Sequence, residues 1–316
     1  MKKIEKFSYE NRVDVITSTN SNNQTLSLQD ITMPHTYRLI FDCPDQAGIV
    51  NRVGDLITAN GGWISQSNHH SETDRNWFFS RMEVLADSLS ISCAELEAQF
   101  RPIAEEFKMN WRVVDSSTLK RVVLMVSKGT HCLADLLDRW RSNELHCDIV
   151  GVISNHDTMR GLSEFYGIDY HHVPIEKDNK QAGFDEVERL VDHYNVDAIV
   201  LARYMQIIPP ALCQKYLHQV INIHHSFLPS FIGAKPYHQA HRRGVKLIGA
   251  TCHYVTQQLD EGPIIEQDVL RVNHGDAAED LARLGKDVEK TVLARGLRAH
   301  LEDRVLVHGN STVVFS

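Results

Sequence analysis

From residue 121 onward, short and nearly continuous apolar runs alternate with stretches of helical spacing. The runs fall at 121–126, 148–153, 170–173, 197–202 and 219–224. Ala198-Ile199-Val200-Leu201 offers no polar face at all. A strand with one wet face must alternate, so a run like this one needs cover on both sides. Between the runs lie helical patterns such as Leu133, Leu136, Leu137 and Trp140. Alternation of this kind predicts a mostly parallel, doubly wound α/β sheet. Two further strands are expected between 246 and 270, flanking a loop. A long helix follows from about Asp276, with Leu281, Leu284, Val288, Val292 and Leu301 on one stripe. Val305-Leu306-Val307 and Thr312-Val313-Val314-Phe315 around Gly309-Asn310 predict a closing hairpin.

Upstream the pattern differs. Tyr37-Arg38-Leu39-Ile40-Phe41 reads as a strand and Ile49, Val53, Leu56 and Ile57 as a helix stopped by Asn60-Gly61-Gly62. Strands at 63–70 and 77–85, a helix at 92–107 and a strand at 110–114 complete the order βαββαβ, a ferredoxin-like arrangement. Residues 1–34 are polar, with Thr19-Asn20-Ser21-Asn22-Asn23 near their middle, and hold too little apolar surface to offset ordering. The expected division is an extension at 1–34, a first domain at 35–115 and a second at 120–316. A length of 316 residues suits two domains.

Charge and composition narrow the function. With 33 Lys and Arg against 41 Asp and Glu, the net charge is −8, the wrong sign for holding nucleic acid by neutralising phosphates. No apolar run approaches the roughly 18 residues of a membrane span, and the basic start lacks the apolar stretch of a signal peptide. The six cysteines are scattered without a C-x-x-C pair, as expected of reduced, buried thiols in a cytoplasmic protein. Eighteen histidines include the pairs His69-His70, His171-His172 and His224-His225, but none has the spacing of a metal motif, so no metal site is expected.

Open parallel sheets bind ligands beyond the carboxyl ends of their strands. Val220-Ile221-Asn222-Ile223-His224 ends one such strand. Its period of two sends Ile221 and Ile223 to one face, Asn222 and His224 to the other. An amide donor beside an imidazole suits acid–base chemistry near neutral pH. Taken alone, Asn-x-His is equally the hydrogen-bonded end of a structural strand.

The residues that follow are more specific. Asn222-Ile223-His224-His225-Ser226-Phe227-Leu228-Pro229 is followed by Gly249-Ala250-Thr251-Cys252-His253-Tyr254-Val255-Thr256 and then by Leu259-Asp260-Glu261-Gly262-Pro263. This series resembles the folate-dependent formyltransferase superfamily, and the resemblance implies a Rossmann-like domain with Asn222, His224 and Asp260 as catalytic residues. It further implies substrate contacts at Met205, Ile208 and His253, the first two in Leu201-Ala202-Arg203-Tyr204-Met205-Gln206-Ile207-Ile208. Glu261, Glu266 and Asp268 read as solvated or sheet-edge charges.

Within the superfamily, Cys43-Pro44-Asp45-Gln46-Ala47-Gly48 resembles the first loop of an ACT domain. Val152-Ile153-Ser154-Asn155-His156-Asp157, Gly233-Ala234-Lys235-Pro236-Tyr237-His238-Gln239-Ala240 and His225 in place of proline resemble the formyltetrahydrofolate deformylases. Glycinamide ribonucleotide formyltransferases place a small-residue phosphate loop where this chain has Ser127-Lys128-Gly129-Thr130-His131. The deformylase resemblance implies hydrolysis of 10-formyltetrahydrofolate to tetrahydrofolate and formate, serving purine synthesis and the one-carbon folate balance. Folate is then the substrate, and no cofactor is expected. Asn222 is expected to serve as oxyanion donor, His224 as general acid or base, and Asp260 as holder of water and of His224. An amino-acid effector such as glycine or methionine near Asp45 and Gly48, and a homo-oligomer (tetramer or hexamer), also follow by resemblance. The alternatives are a ribonucleotide transferase, or an amino-acid sensor with a non-catalytic folate domain.

Overall fold

Strand β1 (Thr36–Pro44) alternates between two cores, sending Leu39, Phe41 and Cys43 to one and Ile40 to the other. In the computed structural model, which describes residues 34–229 and 236–316, it is followed by α1 (Ile49–Ala59), β2 (Trp63–Glu72), β3 (Trp77–Leu85), α2 (Cys93–Phe107) and β4 (Asn110–Asp115). The expected N-terminal extension and residues 233–235 lie outside the described residues. The four strands form an antiparallel sheet in the order β2-β3-β1-β4. Helices α1 and α2 cover one face with Ile49, Val53, Ile57, Leu96, Phe100 and Ile103. Helix α2 begins at a reciprocal cap, in which Ser92 Oγ accepts from Glu95 N and Glu95 accepts from Ser92 N. This antiparallel unit fits an ACT-like domain.

The second sheet has seven strands: β5 (Arg121–Val126), β6 (Asp148–Ser154), β7 (Tyr170–His172), β8 (Ala198–Leu201), β9 (Val220–His224), β10 (Leu247–Tyr254) and β11 (Ile264–Arg271). Their order is β11-β10-β9-β8-β5-β6-β7; β5 to β9 are parallel, and β10 and β11 are antiparallel additions. The crossovers carry α3 (His131–Arg141), α4 (Arg160–Phe165), α5 (Lys180–Tyr194), α6 (Pro210–Lys215) and α7 (Pro236–Arg243). Helix α8 (Ala278–Leu301) and the hairpin β12 (Val305–His308) and β13 (Ser311–Val314) close the chain.

Strand β5 shows why both faces are covered. Val122, Leu124 and Val126 enter a core with α3 and α8, whereas Val123 and Met125 enter a second core with α5 and α6. The chain order reverses between β5 and β8, a switch point where open sheets leave a crevice for ligands. The final hairpin leaves this sheet, and Leu306 and Phe315 pack with Ile40 and Phe79 on the face of the N-terminal sheet that its helices leave bare.

Candidate active site

Strand β9 points Ile221 and Ile223 into the α3–α8 core, so Asn222 and His224 face the other way. Strand β10 runs antiparallel beside it, with His253 opposite Asn222 and Thr251 opposite His224. The loop from β10 to β11 returns Asp260 to the same place. Asp260 itself has φ 58°, and a Cβ on Gly262 would stand 1.8 Å from the Tyr254 carbonyl oxygen. Only glycine lets the loop run that close to β10.

These elements bring the three residues expected to be catalytic into one cleft of about 410 Å³. His224 Nδ1 lies 3.3 Å from Asp260 Oδ1, with both side chains nearly buried. Burial alone would raise the Asp260 carboxyl, but the hydrogen bond and charge of His224 and the neighbouring imidazoles outweigh it and hold the group below its usual range. With Nδ1 directed at the carboxylate, the opposite ring nitrogen, Nε2, is buried and has no hydrogen-bond partner among the described residues.

His253 is tied differently. Its Nδ1–H donates to the Tyr254 carbonyl at 2.8 Å, which leaves Nε2 to accept from the Asn222 amide at 3.2 Å. Asp260 Oδ1 is also 3.9 Å from His253 Nε2. That approach is not an ion pair, because burial lowers the His253 pKa and keeps the ring neutral. The effect of His253 is to fix the amide of Asn222, which lines the cleft.

The expected substrate contacts also meet here. Met205 lies on the rim at 59% exposure, Ile208 is buried in the wall, and His253 is buried behind Asn222. Asp45 and Gly48 lie elsewhere, in the turn from β1 to α1. A larger cavity of about 710 Å³ lies between the two sheets, with Arg112, Lys120, Tyr254 and His300 on its walls. It holds none of the residues expected to be catalytic, so the smaller cleft is where imidazole, amide and carboxylate converge.

Several relations around the cleft come only from the fold. The Tyr204 hydroxyl is buried without a partner among the described residues. Arg203 follows β8 with φ 67°, and its Nε forms an ion pair with Glu289 Oε2 at 3.3 Å. Glu289, 1% exposed on α8, also pairs with His131 Nε2 at 2.8 Å and accepts from the Tyr237 hydroxyl at 2.6 Å. His225 lies beside this group, its pKa lowered to about 4 by burial and then by the Arg203 charge. His131, Cys132 and Glu289 bring three donor atoms within 4.8 Å of one another. The Glu289 oxygens are already engaged by Arg203, His131 and Tyr237, and burial raises the Cys132 thiol and keeps it protonated. A guanidinium therefore supplies the positive charge at this carboxylate.

The sequence profile of the formyl transferase family matches residues 120–297. The formyltetrahydrofolate deformylase of Synechocystis is 47% identical over 281 residues, which cover 89% of this chain and 99% of that protein. The crystal structure of the formyltetrahydrofolate deformylase of Pseudomonas syringae superposes with a TM-score of 0.90 at 59% identity, covering 91% of this chain and 97% of that one. A glycinamide ribonucleotide transformylase of Symbiobacterium toebii matches less of the molecule, with a TM-score of 0.58 and 29% identity over 63% of this chain and 95% of its own. The matching deformylases span both the antiparallel unit and the cleft-bearing sheet, and on that coverage the chain belongs to the formyltetrahydrofolate deformylase family of the formyl transferases.

Proposed function

We propose that the chain hydrolyses 10-formyltetrahydrofolate to tetrahydrofolate and formate, with Asn222, His224 and Asp260 as the reacting set. The observation that carries the assignment of roles is the pairing of His224 Nδ1 with Asp260 while Nε2 stays buried and unpartnered. With Nδ1–H held by the carboxylate, Nε2 presents a lone pair to a water in the cleft. That water attacks the formyl carbon and its proton passes to Nε2. The resulting imidazolium, stabilised by Asp260, returns the proton to N10 as the C–N bond breaks. Such general acid–base work contributes roughly 10²–10⁴-fold.

The formyl oxygen becomes an oxyanion in the tetrahedral intermediate. Asn222 meets it with the amide N–H that His253 does not use, and one such donor is worth about 2.7–4 kcal/mol of barrier. His253 is in this scheme a positioning residue. Leu201, Ile208 and Val255 form an apolar wall suited to the flat pterin, and Met205 covers its rim. Folate enters as substrate, and the scheme uses no metal.

The antiparallel unit we read as a regulatory or assembly module. An amino acid such as glycine or methionine would bind near Asp45 and Gly48, in a cytoplasmic homo-oligomer (tetramer or hexamer) that balances folate pools and supplies formate for purine synthesis. One assay addresses both readings. Purified protein is expected to release formate from 10-formyltetrahydrofolate with no amine acceptor present. Turnover only on adding an amine acceptor would replace hydrolysis by transfer. Rates unchanged by glycine or methionine would leave assembly as the role of the first unit.

A further inference from the structure

Among the described residues that line the cleft, Arg203 alone carries a permanent positive charge, and the hydrolytic scheme gives it no task. Its backbone lies in the left-handed region at φ 67°, a strained conformation for a bulky residue. Its side chain is 19% exposed and fixed through Nε to the buried Glu289. A guanidinium has five N–H donors, and among the described residues the one ion pair of this side chain runs through Nε to Glu289. Glu289 is itself held by Tyr237 and His131, so the cation is aimed rather than mobile.

We propose that Arg203 and its Glu289 anchor form an anion subsite that receives the product formate once the C–N bond has broken. This rests on the hydrolytic reading above. The planar fork of a guanidinium matches the two oxygens of a carboxylate. Two carboxylates reach this cleft: the product, and the glutamate tail of the substrate. The position of Arg203 favours the product. It lines the same cleft as His224 and His225, its charge is felt at His225, and its side chain is mostly buried. The mouth, where a hydrated tail would remain, is lined by Met205, Ile207 and Leu259 at 58–69% exposure. Glu289 also sets the strength of the subsite. By partly neutralising Arg203, it keeps formate from being held so tightly that release would stall turnover.

Line broadening of ¹³C-formate by the full-length protein measures binding without turnover, and formate inhibition measures it during turnover. Arg203→Met is expected to raise the inhibition constant for formate about tenfold or more, with KM for 10-formyltetrahydrofolate changing by less than about twofold. Glu289→Gln, which keeps a hydrogen-bonding side chain but removes the neutralising charge, is expected to shift the formate constant in the opposite direction, tighter by several-fold. A merely structural network would move both variants the same way. Should Arg203→Met fail to fold, Arg203→Lys and Glu289→Gln carry the test, with weaker formate binding expected for the lysine variant. The proposal is overturned if formate does not broaden with the unmodified protein, or if the inhibition constant is unchanged in the Arg203 variants. It is equally overturned if KM rises while the formate constant stays put, which would give Arg203 to the substrate's tail. Formate binding by a protein that releases none from 10-formyltetrahydrofolate would remove the hydrolytic reading and leave the anion subsite standing.

Discussion

Asp260 lines the cleft and sets its Oδ1 3.3 Å from His224 Nδ1. Asp260→Asn keeps the size of the side chain and removes the charge that favours imidazolium. We expect kcat to fall at least about 10²-fold while the dissociation constant for a folate analogue changes by less than about threefold. Single-turnover kinetics and a fluorescence titration measure the two. Near-full activity would take Asp260 out of the mechanism. Asn222, His224 and Asp260 were legible in the sequence because each sits in a local run of recognisable neighbours. Arg203 and Glu289 were not, since their meaning comes from one another across the fold and a buried glutamate resembles any surface charge on paper; His225 was visible only as a family resemblance. His253 was visible as a pocket residue, but its hold on Asn222 depends on the pairing register of β9 and β10.

Strands and helices followed the sequence closely. Apolar runs and helical spacing report which face is buried, and burial decides whether these short elements form. Helix α8 shows where that signal stops. Its apolar stripe was read from Leu281, Val292 and Leu301, all buried, and from Leu284 and Val288, which are partly so. The same face also carries Gly285, Glu289 and Gly296, at helical spacing from Leu281 and Val292. A charge and two glycines on an otherwise apolar stripe were the available sign that this helix meets something closer than a side-chain layer. A Cβ on Gly296 would stand 2.4 Å from the Cys252 sulfur, one residue before His253. Gly296→Ala is therefore expected to destabilise the protein by about 1–3 kcal/mol through overpacking. Adding Cys252→Ala, which removes the sulfur, should recover part of that loss in a urea denaturation series. An unchanged midpoint for Gly296→Ala would mean that α8 shifts away without cost.

At the scale of the molecule, the two sheets are joined by contacts that looked like ordinary surface polarity in the sequence. Asp303, 2% exposed after α8, takes Lys120 Nζ at 2.6 Å, Arg112 Nη2 at 3.2 Å and Arg38 Nη1 at 3.3 Å. Next to it, His300 is half-buried on the wall of the larger cavity, with Nδ1 2.8 Å from the Tyr254 hydroxyl. Burial, and then the charge of Lys120, depress the His300 pKa to about 3, and His225 is lowered to about 4. His69, His171, His218 and His253 move in the same direction, chiefly through burial. The unfolded chain takes up these protons near pH 6.5, whereas the fold takes them up only at lower pH, far lower for His300 and His225. Below 6.5 the unfolded state therefore binds more protons, and stability must fall as pH falls. At pH 5 His300 and His225 each cost about 2 kcal/mol, against a typical total of about 5–15 kcal/mol. Asp303 and Glu289, both held below their usual values by their cationic partners despite burial, extend the loss once pH drops below about 4.5. The thermal midpoint should thus decline steadily from pH 7 to pH 5, above the range where carboxylates titrate. His300→Gln should flatten that decline by its own share. A midpoint that holds constant over this window would show that the fold accepts the proton on His300, and that the junction between the sheets opens to do so.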